Sequence, residues 1–137
     1  MNRESINPWD WGLQFSMDQG EAITGLTRHI NLSGQISVDP DPEAEMGLKV
    51  IAPNDIRGQM VKSLANIDAI LEKADMNRSN LLTLRFFTTE MEGFLANYDV
   101  YANWIAKSGI RPPQSLIGVA CLALPDIVVE IEATAGE

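Results

Sequence analysis

Apolar and polar positions alternate along the end of the chain. Ile127, Val129, Ile131 and Ala133 fall on one face, and Val128, Glu130, Glu132 and Thr134 on the other. A period of two predicts a strand. Ser115 to Leu122 is apolar or small almost throughout, the pattern of a strand covered on both faces. Leu124-Pro125-Asp126 predicts the turn between them, and Pro112-Pro113 ends whatever helix precedes them. Leu81 to Thr89 alternates as well, with Leu82, Leu84 and Phe86 on one side and Leu81, Thr83, Arg85 and Phe87 on the other. Leu13, Phe15 and Met17 predict a strand over 13–20, which Ala22–Thr24 continues or pairs with. Ile30 and Leu32 predict another over 29–33.

Two stretches carry helical spacing instead. Ile56, Met60, Leu64, Ile67 and Leu71 recur every three or four residues, so a helix capped by Asn54 or Asp55 runs to about Asp75. Phe94, Tyr98, Tyr101 and Ile105 predict a second helix over 94–108, with Gly109 as its C-terminal cap. The order of strands, helix, strand, helix and strands predicts an α+β domain over 1–137, a mixed sheet with two helices on one face. Residues 1–12 form a polar arm. Its Trp9 and Trp11 are expected to pack on the chain's own core. The second face of the sheet carries Ser33, Arg85, Glu130 and Glu132. It is too polar for a core and too apolar in parts for water alone, which suits a contact between subunits.

Composition narrows the function. Apolar residues make up 45% and charged residues 21%, values of an ordinary globular protein, but the net charge is −9. Phosphate backbones and anionic lipid both require basic surface, so nucleic acid and membrane are excluded as partners. Met1–Asp10 lacks the apolar run of a signal peptide, and cytoplasm is the expected location. Cys121 is the single cysteine and is expected to be an inert core residue. The acidic stretch Asp39–Glu45 lacks calcium-loop spacing and reads as a solvated loop. The single histidine, His29, has no second His or Cys to complete a metal site or triad and is expected to be exposed. No cofactor and no metal are expected.

The chemistry concentrates at few positions. Glu130 and Glu132 share a strand face, and enclosure of that face would make one of them resist ionisation. Arg85, in an otherwise apolar strand, requires a partner, either Glu130 or Glu132 or a group on another subunit. Gly34 marks a close approach of backbone to a ligand or, equally, a bulge.

These segments carry a resemblance. Pro112-Pro113-Gln114-Ser115, the Leu124-Pro125-Asp126 turn and Val129-Glu130-Ile131-Glu132-Ala133 resemble the C-terminal signature of the RidA/YjgF family, and Ser33-Gly34-Gln35 resembles its Ser-Gly-Gln segment. The likeness runs from about Phe15 to Ala135. It implies a chorismate-mutase-like fold, a homotrimer with a small-molecule cleft at each subunit interface, and hydrolysis of reactive enamines and imines. It implies that Glu130 orients the attacking water and that Gly34, Ser115 and Gln114 contact substrate. Gln114 stands where the family's deaminases carry an arginine for the substrate carboxylate, and glutamine supplies neither fork nor charge. Phe15, Tyr98 and Leu116 stand where relatives carry tyrosine, asparagine and cysteine, so the cleft is expected to favour a neutral or aromatic ligand. Arg85 is a candidate substitute cation. Gln114 and backbone N–H groups near Ser115 are expected to steady developing charge. A trimer that binds a metabolite without turnover is the alternative. The acidic net charge gives no support to the ribonuclease label attached to some relatives.

Overall fold

The computed structural model describes residues 1–137. It begins with a hairpin of β1 (Asn2–Ile6) and β2 (Gly20–Thr24), paired antiparallel. Strand β3 (His29–Gln35) follows, then a small hairpin of β4 (Val38–Pro40) and β5 (Leu48–Val50). Helix α1 spans Ile56–Lys73 and leads through a 3-10 turn at Arg78–Asn80 into β6 (Leu81–Thr88). Helices α2 (Met91–Ala96) and α3 (Asp99–Ile105) precede β7 (Gln114–Gly118) and β8 (Val129–Gly136).

Asp55 starts α1. Its backbone is extended and its carboxylate accepts the Gly58 N–H at 3.0 Å, the N-cap arrangement that satisfies a donor the helix itself leaves open. The stripe Met60, Leu64, Ile67 and Leu71 is buried, as its spacing requires. It packs with Phe94, Tyr101 and Ile105 against Leu84, Phe86, Val129, Ile131 and Ala133. All helices therefore lie on one face of a four-stranded sheet of order β3-β8-β6-β7. The parallel pair β6 and β7 needs a long crossover, and α2 and α3 provide it. On the other face, Arg85 stands opposite Glu132, Phe87 opposite Glu130 and Thr83 opposite Thr134.

Several expectations change. Residues 13–20 are not a strand: Leu13–Phe15 is a 3-10 turn that ends at Ser16 in the left-handed region, φ 55°. The partner of β2 is instead the arm, through β1. Trp9 and Trp11 do not pack inward and remain 63% and 50% exposed. The second helix is broken at Asn97–Tyr98, where the Asn97 side chain donates to the Gly93 carbonyl at 2.8 Å and competes with helical pairing. The apolar stripe keeps its phase across the break, which is why spacing alone read it as continuous. Strand β7 stops at Gly118 and lies at the sheet edge, so the run to Leu122 is not covered on both faces and Cys121 is exposed. Asp39 and Pro40, assigned to a loop, belong to β4.

Candidate functional site

Residues of the 3-10 turn, α2, the break before α3, and β7 meet on the helix side of the sheet. Phe15, Met17, Phe86, Leu95, Tyr98, Gln114 and Leu116 line a cleft of about 210 Å³. Gln114 pairs with Leu84, and Leu116 with Phe86, so both point toward the helices. Tyr98 is packed by Phe15, Phe94 and Tyr101, with ring centroids 6.0, 6.1 and 5.7 Å away. Its hydroxyl donates to the Phe15 carbonyl at 2.7 Å and accepts from the Gln114 amide. Burial pushes that hydroxyl up to about 12, against the lowering effect of the Gln114 hydrogen bond. Burial, with Tyr98 beside it, raises the Tyr101 hydroxyl further. The Gln114 amide also donates to the Phe15 carbonyl at 3.1 Å. One nitrogen thus serves both the Tyr98 oxygen and the Phe15 carbonyl. The amide Oε1 is buried without a partner.

Gly34 and Glu130 form a second group on the opposite side of the sheet. The register between β3 and β8 slips between Leu32 and Gln35, so Gly34 sits in a bulge. The Glu130 side chain lies over it: a Cβ at position 34 would stand 1.8 Å from Glu130 Oε1. The bulge and the close approach are one feature, and the approaching group is the candidate catalytic carboxylate. Arg85 and Ser115 lie side by side on the same open face. Arg85 pairs with Glu132, one of the partners expected, at 3.9 Å and with 65% of its side chain exposed, a loose surface pair. A depression of about 380 Å³ at the start of β7 is lined by Arg85, Ser115 and Gln114, with Trp11 on its wall.

One chain therefore brings Phe15, Tyr98, Gln114 and Leu116 together, and separately Gly34 and Glu130. Trp11, Met17 and Leu95 are lining residues that pattern reasoning did not assign. The arm's tryptophans were the available signal for the first, and α2's amphipathic phase for the last. A network beneath them fixes the geometry. The carboxylate of Asp18, only 3% exposed, accepts from Ser5 Oγ at 2.6 Å, Asn7 Nδ2 at 2.8 Å and Arg111 Nε at 2.9 Å. Burial raises its pKa, but the three hydrogen bonds and the Arg111 charge together hold it below the usual aspartate value.

A mixed sheet backed by helices on one side, with an open polar face on the other, defines an α+β protein of chorismate-mutase-like fold. A family model described as Endoribonuclease L-PSP matches residues 20–137. A RutC family protein of Aquifex aeolicus is 30% identical over 104 residues, 76% of this chain and 77% of that one. One of Pyrococcus horikoshii is 31% identical over 104 residues, covering 76% and 75%. A conserved Rid family protein of Yersinia pestis, YyfB, of unknown function, superposes with a TM-score of 0.81 at 26% identity over 100% of both chains. TdcF of E. coli, solved with bound serine, gives a TM-score of 0.67 at 28% identity over 97% and 91%. The chain belongs to the RidA/YjgF family.

Proposed function

We propose that this protein is a Rid-type homotrimer that hydrolyses the C=N bond of a small imine or enamine, or a related activated C=O, in clefts shared between subunits. The observation that carries this reading is the division of the site. Phe15, Tyr98, Gln114 and Leu116 face the helices, whereas Gly34 and Glu130 lie on the open face. A complete site then needs the first group from one chain and the second from another. The exposed apolar side chains of Trp11, Leu95 and Ile117 near the first group support such a contact.

In the reaction, Glu130 accepts a proton from water as the oxygen bonds to the imine carbon, and the nitrogen is protonated. Collapse of the resulting carbinolamine breaks the C–N bond, so that imine and water become carbonyl compound and ammonia. Gln114 shapes the cleft and selects substrate. Serine bound in E. coli TdcF fits a family that holds small metabolites. The net charge of −9 does not favour RNA, despite the family model's description.

The uncharged lining of the cleft also fits a second reading, a trimer that binds without turnover. Ammonia release from freshly generated imines, compared with the uncatalysed rate, separates the two. Acceleration by the wild type, lost in Glu130→Gln at unchanged oligomeric mass, is the expected result. No acceleration by the wild type favours binding alone.

A further inference from the structure

The depression at the start of β7 is built differently from the apolar cleft. Its ionised side chains are Asp18 and Arg85. The Asp18 carboxylate is occupied: it is 3% exposed and accepts from Ser5, Asn7 and Arg111. Arg85 is in the opposite condition. Arg3, Arg28, Arg57, Arg78 and Arg111 each donate hydrogen bonds within the chain. Arg85 donates none, and its contact with Glu132 is 3.9 Å long on a side chain 65% exposed. In the sheet register Glu132 stands on one side of Arg85 and Ser115 on the other. Ser115, not Glu132, lines the depression. A surface pair this loose holds the guanidinium weakly, so it can turn toward Ser115 at little cost.

The second open group is Trp11. It lines the same depression and is 50% exposed. Its loop is closed at the base, where Asn7 Nδ2 donates to Asp18 Oδ1 at 2.8 Å and the Gln19 N–H donates to Asn7 Oδ1 at 2.7 Å. The Leu13 N–H donates to the Asp10 carbonyl at 3.0 Å and so spans Trp11. The indole is thus displayed on an ordered loop, and little further ordering is needed when a ligand packs on it. Trp9, on the same loop, does not line the depression.

A guanidinium fork matches the two oxygens of a carboxylate, and an indole packs best on another flat ring. One negative charge matches the one open cation. A doubly charged phosphate would leave a charge unmatched near Glu132, on a chain of net charge −9.

We infer that this depression is a binding site for a planar carboxylic acid, with the acid on Arg85 beside Ser115 and the ring against Trp11. The inference goes beyond the hydrolytic reading and does not depend on it, because Glu130 does not line the depression.

Three probes of matched shape test it on the intact protein. Phenylacetate has both acid and ring, phenylacetamide has the ring without the charge, and cyclohexylacetate has the charge without the flat ring. Titration calorimetry reads affinity, and the indole N–H signals of Trp9, Trp11 and Trp104 in NMR read location. Phenylacetate is expected to bind about fivefold or more tighter than either of the others and to move the Trp11 signal while that of Trp104 stays in place. Arg85→Gln should erase the advantage over phenylacetamide and keep the one over cyclohexylacetate, and Trp11→Leu should do the reverse. Either comparison probe binding as tightly as phenylacetate, an advantage that outlives its substitution, a Trp11 signal that does not move, or no binding at millimolar concentration overturns the inference. Glu130→Gln separates it from the hydrolytic reading, since that variant is expected to lose ammonia release yet bind phenylacetate as the wild type does. Loss of phenylacetate binding in Glu130→Gln would put the acid elsewhere and overturns the inference as well.

Discussion

Asp18 and Arg111 hold each other at two points. Arg111 Nε donates to Asp18 Oδ1 at 2.9 Å, and the Asp18 backbone N–H donates to the Arg111 carbonyl at 2.9 Å. Asp18 ends the segment that carries Phe15, and Arg111 begins the one that carries Gln114, so this latch sets the spacing of the cleft's two polar partners. Ser5 and Asn7 tie β1 to the same carboxylate.

Asp18→Asn removes the charge and turns an NH2 group toward existing donors. A loss of about 2–3 kcal/mol in urea unfolding at neutral pH is expected. The folded-state pKa of Asp18 lies below the ordinary 3.8, so its contribution is complete above 3.8 and disappears as pH falls through the depressed value. The stability gap between wild type and variant should therefore be full at neutral pH and close on acidification. A gap that does not change with pH would show that the charge is not what stabilises.

Tyr98→Phe leaves the ring packing in place and deletes the hydroxyl between Gln114 and the Phe15 carbonyl. About 1 kcal/mol of stability is expected to be lost. The pH dependence has a definite sign. The hydroxyl's folded value is raised from 10.0 to about 12, so the stabilising preference is full below 10.0 and is lost as pH climbs toward about 12. Alkaline unfolding of the variant should be shallower than that of the wild type, but still present, because the buried Tyr101 is raised too.

Where one periodicity decided the outcome, the chain's sequence was a sufficient guide. The stripe of α1 is buried from Met60 onward, and β8 and, from Thr83 on, β6 present the faces their alternation requires; a register shift between Leu81 and Thr83 puts Leu81, not Leu82, in the core cluster. The failures have physical causes. Leu13, Phe15 and Met17 alternate, yet a 3-10 turn uses the same residues to aim the Phe15 carbonyl, a backbone atom, at Tyr98 and Gln114. No side-chain pattern encodes that. The strand before Cys121 is apolar, but as an edge strand it has one neighbour within the chain and leaves Ile117 and Cys121 in the open. Gly34 was legible as a close approach, though the approaching group proved to be Glu130. The division of the site across the sheet followed from register, which sequence spacing does not fix between distant strands.

Arg78 joins three elements. It forms a two-point pair with Asp68 of α1 through Nε and Nη2, both at 2.7 Å, donates to the Trp104 carbonyl, and lies 4.6 Å over the Trp104 ring. Trp104 Nε1 closes the loop by donating to Asp68 Oδ2 at 2.9 Å. Lysine keeps the charge but neither the fork nor the flat face that stacks. Arg78→Lys should therefore cost about 1–2 kcal/mol in thermal or urea unfolding, with ligand selectivity unchanged because the cleft lies elsewhere. A loss below a few tenths of a kcal/mol would place this network among surface pairs that contribute little.

Gly34→Ala separates fold from chemistry. The added methyl would stand 1.8 Å from Glu130 Oε1, 2.7 Å from Cδ and 2.9 Å from Cγ, so the Glu130 side chain must leave its position. The group that moves is the outer part of a flexible side chain on an open face, and the fold should lose no more than about 1 kcal/mol. The carboxylate, however, is displaced by more than 1 Å. Misplacement of a catalytic group on that scale costs about 100-fold in rate. The expected result is a folded protein of wild-type oligomeric mass whose imine hydrolysis falls about 100-fold, close to that of Glu130→Gln. Combining the two substitutions should add little further loss, since both remove the same carboxylate from the same place. Full activity in Gly34→Ala would mean that Glu130 acts from another position or not at all, and the water-activating role would pass from it.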